Sequence, residues 1–395
     1  MKITGIICEY NPLHLGHKKQ MEKIRQLRGA DSGIVCLMSG NFVQRGAPAI
    51  LDKSLRAKAA ILAGADLVLE LPTTVSLSSA EGFAAGGVSI LSSFCDALCF
   101  GAEDASKAAL MEAAKALLDP AFSEALRAQL DKGLSFPAAR QAALTAMGIN
   151  GELVSQPNNI LAVEYCKAIL RQNCAMEPLP ITRCGSYHDT LPDPENPSAT
   201  ALRQLLQKGE SWQSYVPREA VCCFEGAPLH TVESGERAIL YRLRSMTDQE
   251  FEALPYGSEG LWRKLMHCAR KEATLEDILT AVKSKRYTRT RLDRMVMCAF
   301  LGITLQDLME KPPYVRVLAF NDRGREILNL ARQTGEFPNA GQQMEHPYQN
   351  LENRWEDYYA LFSREKPGAA GTEPGRRVYY HTENAPVILS ETPQV

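Results

Sequence analysis

The feature that most constrains this chain is a histidine pair at a predicted junction between a strand and a helix. The apolar run 3–7 predicts a buried first strand, and helical apolar spacing follows at 18–28. Between them stand Asn11-Pro12, a turn signal, and the string His14-Leu15-Gly16-His17. A helix N-terminus presents free N–H groups and a partial positive charge. The junction therefore predicts a phosphate site, which both imidazoles can face if their three-residue spacing is helical.

The first 105 residues alternate apolar runs with segments of helical spacing. The runs lie at 3–8, 33–38, 66–71 and 97–101, and the helical segments at 18–28, 54–63 and 80–91. Apolar runs without polar alternation suit strands buried on both faces, and intervening helices indicate parallel crossovers. The predicted fold class is therefore α/β, with a Rossmann-like parallel sheet that binds ligands at the carboxyl ends of its strands.

Later segments are mostly helical. Helices are predicted over 106–147 with breaks near Pro120 and Gly133, over 158–171, after an N-cap at Ser198, and over about 230–310. Short strands are predicted at 179–183, 314–320, 378–381 and 387–389. A Pro/Gly-rich linker is expected at 364–376.

Composition excludes several classes of protein. The net charge of −2 over 395 residues leaves no global basic field, so any nucleic-acid surface must be local. No signal peptide and no apolar stretch of membrane-spanning length is visible, which favours a cytoplasmic protein without a membrane partner. The 11 cysteines are scattered and lack zinc-ligand spacing, so we expect reduced thiols and no metal site.

Five strings, in order along the first half of the chain, carry a resemblance to a known family. They are 9–14 (EYNPLH), 38–46 (MSGNFVQRG), 64–72 (GADLVLELP), 157–161 (PNNIL) and 198–203 (SATALR). A strand, His-x-Gly-His and a helix together resemble the HIGH-type nucleotidyltransferase superfamily, whose members bind ATP and attack its α-phosphate. Within it, the five strings resemble the bacterial tRNA(Met) cytidine acetate ligases. A single short motif recurs by chance, whereas five in order are specific.

The resemblance implies the residues of the nucleotide site. It assigns catalysis to His14 and His17, with Lys18 close by. It implies ATP binding by Ile7, Cys8, Glu9, Tyr10, Asn11, Pro12, Leu13, His14, Leu15, Gly16, His17, Lys18, Lys19, Gln20, Gly101, Asn158 or Asn159, Arg183, Ser198, Thr200 and Arg203. The last three form a Ser-x-Thr-x-x-Arg motif, whose hydroxyls and guanidinium suit phosphate oxygens. From spacing alone, that motif is equally an ordinary capped helix with a surface arginine.

The reaction that the resemblance implies has two steps. Acetate attacks the α-phosphate of ATP, giving acetyl-adenylate and pyrophosphate. The N4 amine of the wobble cytidine of elongator tRNA(Met) then attacks the acetyl carbonyl. Positioning and charge stabilisation carry the first step, and the sequence offers no Ser/His/Asp or Cys/His arrangement for covalent catalysis. Mg²⁺ is expected as the counter-ion of ATP, although no carboxylate cluster marks its site.

Two further sites are predicted from local charge. Arg45, in the polar loop 38–46, is the candidate for the acetate carboxylate, with an exposed loop charge as the ordinary alternative. The segment 283–294 holds six basic residues against one acidic residue. Its predicted tRNA contacts are Lys283, Lys285, Arg286, Tyr287, Arg289, Arg291 and Arg294, with extension to Arg316 and Arg323. A solvated helix face is the alternative.

These observations give three segments and one competing function. The expected organisation is a nucleotidyltransferase domain over 1–216, a mostly helical tRNA-binding domain over 217–363, and a linker with a short β segment over 364–395. The alternative function is an adenylyltransferase acting on a small phosphorylated metabolite, against which the basic segment and the long second domain speak. A non-enzymatic RNA-binding protein is disfavoured because both histidines and the Ser-x-Thr-x-x-Arg motif are intact.

Overall fold

The strands form one large sheet and one small hairpin. The computed structural model describes residues 1–103, 106–182 and 197–382, together with the backbone of Pro386–Ile388. The strands are β1 (Ile3–Cys8), β2 (Gly33–Ser39), β3 (Phe42–Val43), β4 (Ala47–Pro48), β5 (Leu67–Leu71), β6 (Ala97–Ala102), β7 (Glu177–Thr182), β8 (Val317–Asn321), β9 (Tyr379–His381) and β10 (Pro386–Ile388).

Helices cover both faces of the sheet and build the second half of the chain. They are α1 (Leu15–Arg28), α2 (Lys53–Leu62), α3 (Thr73–Ser76), α4 (Ala80–Leu91), α5 (Lys107–Leu118), α6 (Pro120–Leu130), α7 (Phe136–Ala146), α8 (Pro157–Arg171), α9 (Ala199–Lys208), α10 (Val232–Ser245), α11 (Asp248–Glu252), α12 (Leu261–Lys271), α13 (Leu275–Val282), α14 (Arg289–Leu301), α15 (Leu305–Met309), α16 (Asp322–Ala331) and α17 (Pro347–Tyr359).

The sheet has the topology that the apolar runs predict. Its order is β10-β9-β8-β5-β2-β1-β6-β7, and the five strands from β5 to β7 are all parallel. Among those five, the chain runs from β1 outward to β2 and β5, then returns to β6 and β7 on the other side. The strand order therefore reverses between β1 and β6, where a doubly wound sheet opens a crevice at its carboxyl edge. The α/β, Rossmann-like fold is confirmed.

The C-terminal strands extend this sheet. β8 pairs antiparallel with β5, β9 pairs parallel with β8, and β10 closes the edge antiparallel to β9. The segments 217–363 and 364–395 thus each add strands to the sheet of the first segment. A boundary near residue 217 does not separate the two hydrophobic cores, because the apolar side chains of β8 belong to the core around the sheet.

The second core is helical. It gathers buried side chains of α10 to α14 and α17, and it also takes in Phe42 and Leu77 from the first half of the chain. The helical character expected for residues 230–310 is confirmed, as are the breaks near Pro120 and Gly133. The helical core therefore rests directly on the loop that follows β2, which is also part of the candidate site.

In the residues that the structure describes, every helix is too short or too polar to cross a bilayer. The ten cysteines that the structure describes are all free.

Candidate active site

A cavity of 690 Å³ opens at the carboxyl ends of β1, β6 and β7. This volume lies in the range of small-molecule sites. The predicted residues that line it are Ile7, Cys8, Glu9, Tyr10, Asn11, His14, Gly16, His17, Lys19, Gln20, Arg45, Gly101, Asn158, Ser198, Thr200 and Arg203. The structure therefore gathers residues from five separated stretches of sequence at the crevice that the strand order creates.

The two histidines cap α1 and stack against each other. His14 is the N-cap and has an extended backbone, so the condition that both histidines are helical is met only by His17. Its Nδ1 accepts the Gly16 N–H at 3.1 Å, while His17 Nδ1 accepts the His14 N–H at 3.2 Å. The ring centroids lie 3.7 Å apart at an interplanar angle of 27°. This reciprocal cap fixes both imidazoles at the helix N-terminus, where the backbone favours an anion.

The turn between β1 and α1 is held from three sides. Tyr10 has a φ of +42°, in the left-handed region that a bulky side chain rarely adopts, and its ring lies 4.7 Å from that of His17. The Asn11 Oδ1 accepts the Ile50 N–H at 2.7 Å, and Arg203 donates to the Asn11 carbonyl at 2.6 Å. These contacts set the direction of the chain as it enters the histidine motif.

The Ser-x-Thr-x-x-Arg motif begins α9 and also lines the cavity. Ser198 is buried and caps the helix by accepting the Ala201 N–H at 3.0 Å. Arg203 also donates to Thr200 Oγ1 at 3.1 Å, which points its guanidinium along the cavity wall. Burial lowers the pKa of Arg203 below its usual value, although a guanidinium stays charged at neutral pH. The motif is thus both a helix cap and part of the cavity.

The structure separates the two candidate asparagines. Asn158 lines the cavity, whereas Asn159 is buried and its Oδ1 accepts the Glu103 N–H at 3.0 Å. The Glu103 carboxylate in turn accepts the backbone N–H groups of both asparagines at the start of α8. Asn159 is therefore a buried structural residue, whereas Asn158 lines the cavity while its side-chain amide donates to the Glu103 carboxylate at 2.7 Å.

The loop after β2 forms a third wall. Gln44 and Arg45 line the cavity, and the Glu9 Oε1 accepts the Gln44 N–H at 3.0 Å. Gly46 has a φ of +79°, and a Cβ there would lie 2.3 Å from the backbone nitrogen of Arg294. This close approach clamps the loop onto α14.

Several predicted residues do not reach the cavity. Lys18 points away and forms an exposed ion pair with Glu219 at 3.0 Å. The side chain of Leu13 is fully buried in the core, and Pro12 and Leu15 are also absent from the lining. Arg183, and the loop that follows it, fall outside the described residues.

The apolar wall was not predicted. Phe83 on α4, Phe100 on β6, and Leu161 and Tyr165 on α8 line the cavity. Their inward positions follow the apolar periodicity of those elements, which looks the same whether a side chain meets core or ligand. Such rings offer a surface for a nucleobase.

The cavity thiols are unsuited to covalent catalysis. Burial raises the pKa of the Cys8 thiol well above its usual value, and burial raises the pKa of Cys99 to about 12. Since the thiolate is the nucleophile, both groups are inert at neutral pH. In the part of the chain that the structure describes, no cluster of three His, Cys, Asp or Glu side chains has the arrangement of a metal site.

The basic segment, residues 283–294, connects α13 to α14. Lys283, Lys285 and Arg286 are exposed. Arg286 pairs with Glu259 at 2.7 Å, and Arg289 pairs with Glu276 at 2.7 Å, all four side chains being at least 43% exposed. Exposed pairs of this kind contribute little to stability, so a phosphate can replace the carboxylate.

Some predicted basic contacts have other roles. Arg294 is only 8% exposed and donates to the Gln44 carbonyl at 3.3 Å, so it ties the cavity loop to α14 rather than facing solvent. Arg316 is 1% exposed and bonds to Glu352 at 3.0 Å, which makes its expected place in the basic surface wrong. Arg291 donates to the Tyr256 carbonyl at 2.8 Å. Counting the basic residues in the sequence could not predict these roles, because the count does not show which side chains are buried.

Comparisons with known proteins agree with this geometry. A family model described as HIGH Nucleotidyl Transferase matches residues 1–370. A tRNA(Met) cytidine acetate ligase of Acetivibrio thermocellus is 36% identical over 367 residues, covering 86% of this chain and 87% of that protein. The enzyme of the same name from Clostridium tetani is 38% identical over 362 residues, covering 86% and 89%.

Solved structures of TmcAL from Thermotoga maritima share the whole architecture. The apo form has a TM-score of 0.87 at 29% identity, and it covers 97% of this chain and 100% of its own. The form bound with α-thio ATP has a TM-score of 0.84 at 28% identity, with the same coverage. By its histidine motif, its sheet and these relatives, the chain belongs to the HIGH nucleotidyltransferase family and, within it, to the tRNA(Met) cytidine acetate ligases.

Proposed function

We propose that this protein is an ATP-dependent ligase that joins acetate to the wobble cytidine of elongator tRNA(Met), forming N4-acetylcytidine through acetyl-adenylate. One observation carries the proposal: the capped histidine pair of α1 and the Ser-x-Thr-x-x-Arg motif of α9 line the same cavity, and Arg203 of that motif bonds to the turn that precedes His14. A relative of the same architecture binds an ATP analogue, and curated relatives carry the name of this reaction. We also propose a cytoplasmic location, because tRNA and ATP are its proposed substrates.

The first step fits the groups that surround the cavity. An acetate oxygen attacks the α-phosphorus, the bond from phosphorus to the bridging oxygen breaks, and pyrophosphate leaves. His14, His17 and the N-terminal N–H groups of α1 would stabilise the charge that builds on the non-bridging oxygens. Arg203, with its direction set by Asn11 and Thr200, would hold the leaving phosphates. Arg45 on the adjacent loop is the candidate for orienting acetate.

In the second step, the cytidine N4 attacks the acetyl carbonyl, AMP leaves with the electron pair of the C–O bond, and N4 loses a proton. This needs the tRNA to reach the same cavity. The basic segment lies at the start of α14, and α14 touches the cavity loop through Arg294 and Gly46. Lys283, Lys285, Arg286, Tyr287 and Arg289 therefore offer phosphate and base contacts close to the cavity wall.

Mg²⁺ is proposed as the counter-ion of the triphosphate. The described residues offer no preformed carboxylate cluster, so we expect the ion to enter with ATP and to be held mainly by its phosphates. The test is whether excess chelator stops the reaction and added Mg²⁺ restores it.

The function is tested with purified protein, labelled acetate, ATP and total bacterial tRNA. After nuclease digestion, the label is expected in N4-acetylcytidine. If the label stays in free acetate, and α-labelled ATP instead transfers its AMP to an added phosphorylated metabolite with release of pyrophosphate, the result would support an adenylyltransferase. Loss of product when ATP or elongator tRNA(Met) is omitted serves as the control.

A further inference from the structure

Arg56, on α2, is a buried cation whose hydrogen bonds all go to backbone carbonyls. Its side chain is 1% exposed. Its Nε donates to the Leu51 carbonyl at 2.8 Å, and its Nη1 donates to the Glu9 carbonyl at 2.7 Å and to the Ser39 carbonyl at 3.0 Å. Its Nη2 donates to the Gly40 carbonyl. No ion pair to Arg56 is present within the described part of the chain.

Burying a charge without a paired carboxylate is costly, so the carbonyl bonds must offset the loss of water. To bond four carbonyl oxygens at once, a side chain must carry several N–H donors in a fixed planar arrangement. The guanidinium of arginine has this arrangement. A lysine ammonium offers three donors from a single atom and cannot reach all four oxygens. The position therefore requires the shape of arginine and not only its charge.

Three of the four carbonyls belong to two segments that lead into cavity residues. Glu9 follows β1 and leads into the strained Tyr10, whose ring contacts His17. Ser39 and Gly40 end β2 and begin the loop that carries Gln44 and Arg45. Arg56 itself does not line the cavity. Its guanidinium thus joins the carboxyl ends of two neighbouring strands at the point where both supply site residues.

The loop is confined on its other side as well. Gly40 packs so closely on Glu70 that a Cβ would lie 2.3 Å from its Oε1, and Arg294 holds the Gln44 carbonyl at the far end of the loop. With both ends held, two links set the loop's position relative to the histidine motif: the guanidinium of Arg56, and the Glu9 carboxylate that accepts the Gln44 N–H.

We propose that Arg56 is a positioning residue that sets the histidine turn 9–11 against the loop 39–46, so that acetate and the α-phosphate meet in line. It acts through the backbone and not by contact with substrate. The inference rests on the proposed function, since the two walls it joins are those assigned to ATP and acetate.

The test is Arg56→Lys in the full chain, with Arg316→Lys as the matched control. Both arginines are 1% exposed, but Arg316 bonds to Glu352 on α17 and to the Gln342 carbonyl. Acetate-dependent exchange of labelled pyrophosphate into ATP measures the first step without tRNA. Thermal unfolding gives the folded fraction of each variant. A misplacement of about 1 Å predicts a loss of about 100-fold in kcat per folded molecule for Arg56→Lys, with a smaller change in KM for ATP.

Arg316→Lys is expected to lower the melting temperature while leaving kcat per folded molecule unchanged. If Arg56→Lys loses activity only in proportion to its folded fraction, or fails to fold where Arg316→Lys folds, Arg56 is a stability residue and the inference falls. Equal loss of kcat in both variants would also overturn it. Absence of exchange in the unmodified protein would instead contradict the proposed function. Failure of the Arg56 inference and failure of the proposed function are therefore distinguishable.

Discussion

Positive charge is held in opposite ways at the cavity and at the basic segment. At the cavity, Arg56 and Arg203 are buried or nearly so and are tied to carbonyl oxygens, which do not move when a ligand binds. In the basic segment, Arg286 and Arg289 are exposed and pair with carboxylates on neighbouring loops and helices. The first arrangement fixes geometry at a cost in desolvation, whereas the second keeps charge available for a partner of variable shape. The difference matches a division of labour between adenylation and tRNA binding.

The largest effect on adenylation is expected when an imidazole is removed. His17→Ala is expected to reduce acetate-dependent pyrophosphate exchange by about 10³-fold while tRNA affinity stays nearly intact, because the lost donor acts only on the developing phosphate charge. Exchange kinetics and tRNA filter binding measure the two quantities.

The control for this variant is His17→Gln. Glutamine can still accept the His14 N–H and so keeps the helix cap. Activity close to that of the unmodified protein in His17→Gln would mean that a neutral side chain with one acceptor and one donor suffices here, and that an imidazolium charge is not needed.

A second test concerns buried charge that serves stability alone. Glu373 pairs with Lys53 at 3.0 Å and with Arg376 at 2.7 Å. Burial alone would raise the pKa of Glu373. The positive charges of Lys53 and Arg376 together have the larger effect and lower this pKa to about 2. Its stabilisation is therefore present above pH 4.5, the usual carboxyl value, and is lost as the pH falls toward 2.

Glu373→Gln should therefore lower the free energy of unfolding by about 3 kcal/mol at pH 7, and the difference should shrink below pH 4.5. Urea unfolding as a function of pH measures both. A difference that stays constant down to pH 2 would show that the carboxylate charge is not what stabilises the fold. Pyrophosphate exchange by the folded variant is expected to be normal, because Glu373 does not line the cavity.

A third test removes charge from the exposed region. Lys285→Ala with Arg286→Ala is expected to weaken tRNA binding about tenfold and to reduce the slope of log affinity against log salt by about 1 per lost phosphate contact. Pyrophosphate exchange should not change.

The matched control is Arg127→Ala with Lys132→Ala, which removes the same charge from the exposed end of α6 and the turn after it. An equal loss of tRNA affinity in this control would mean that the effect is one of net charge and not of the basic segment.

The smallest expected effect is that of Glu259→Gln. Its carboxylate accepts from Arg286 and, at 3.1 Å, from the Tyr287 hydroxyl. Because the pair is exposed, the free energy of unfolding should change by less than about 1 kcal/mol. The tRNA affinity should rise slightly, since both partners are released toward the phosphates. A fall in affinity would indicate that Glu259 holds these side chains in the binding geometry.

The sequence predicted the structure best where a feature depends only on residues that are close together in the chain. The four apolar runs of the first 105 residues appear as β1, β2, β5 and β6, and the predicted cap at Ser198 is present. These features depend on neighbouring residues and on burial on both faces. In contrast, the antiparallel pairing of β8 with β5 joins residues about 250 positions apart, and no local pattern specifies such a partner.

By itself, the sequence determined the α/β fold, the histidine motif at the first strand–helix junction, and the family. Only the tertiary structure decided which motif residues face the cavity: it turned Asn158 inward and Asn159 into a buried contact of the Glu103 backbone, and it paired Lys18 with Glu219. It also revealed Arg56 and Arg294 as buried ties to the cavity loop. The physical reason is that residue type and spacing predict what a side chain can do, whereas its direction and partners depend on elements distant in the chain.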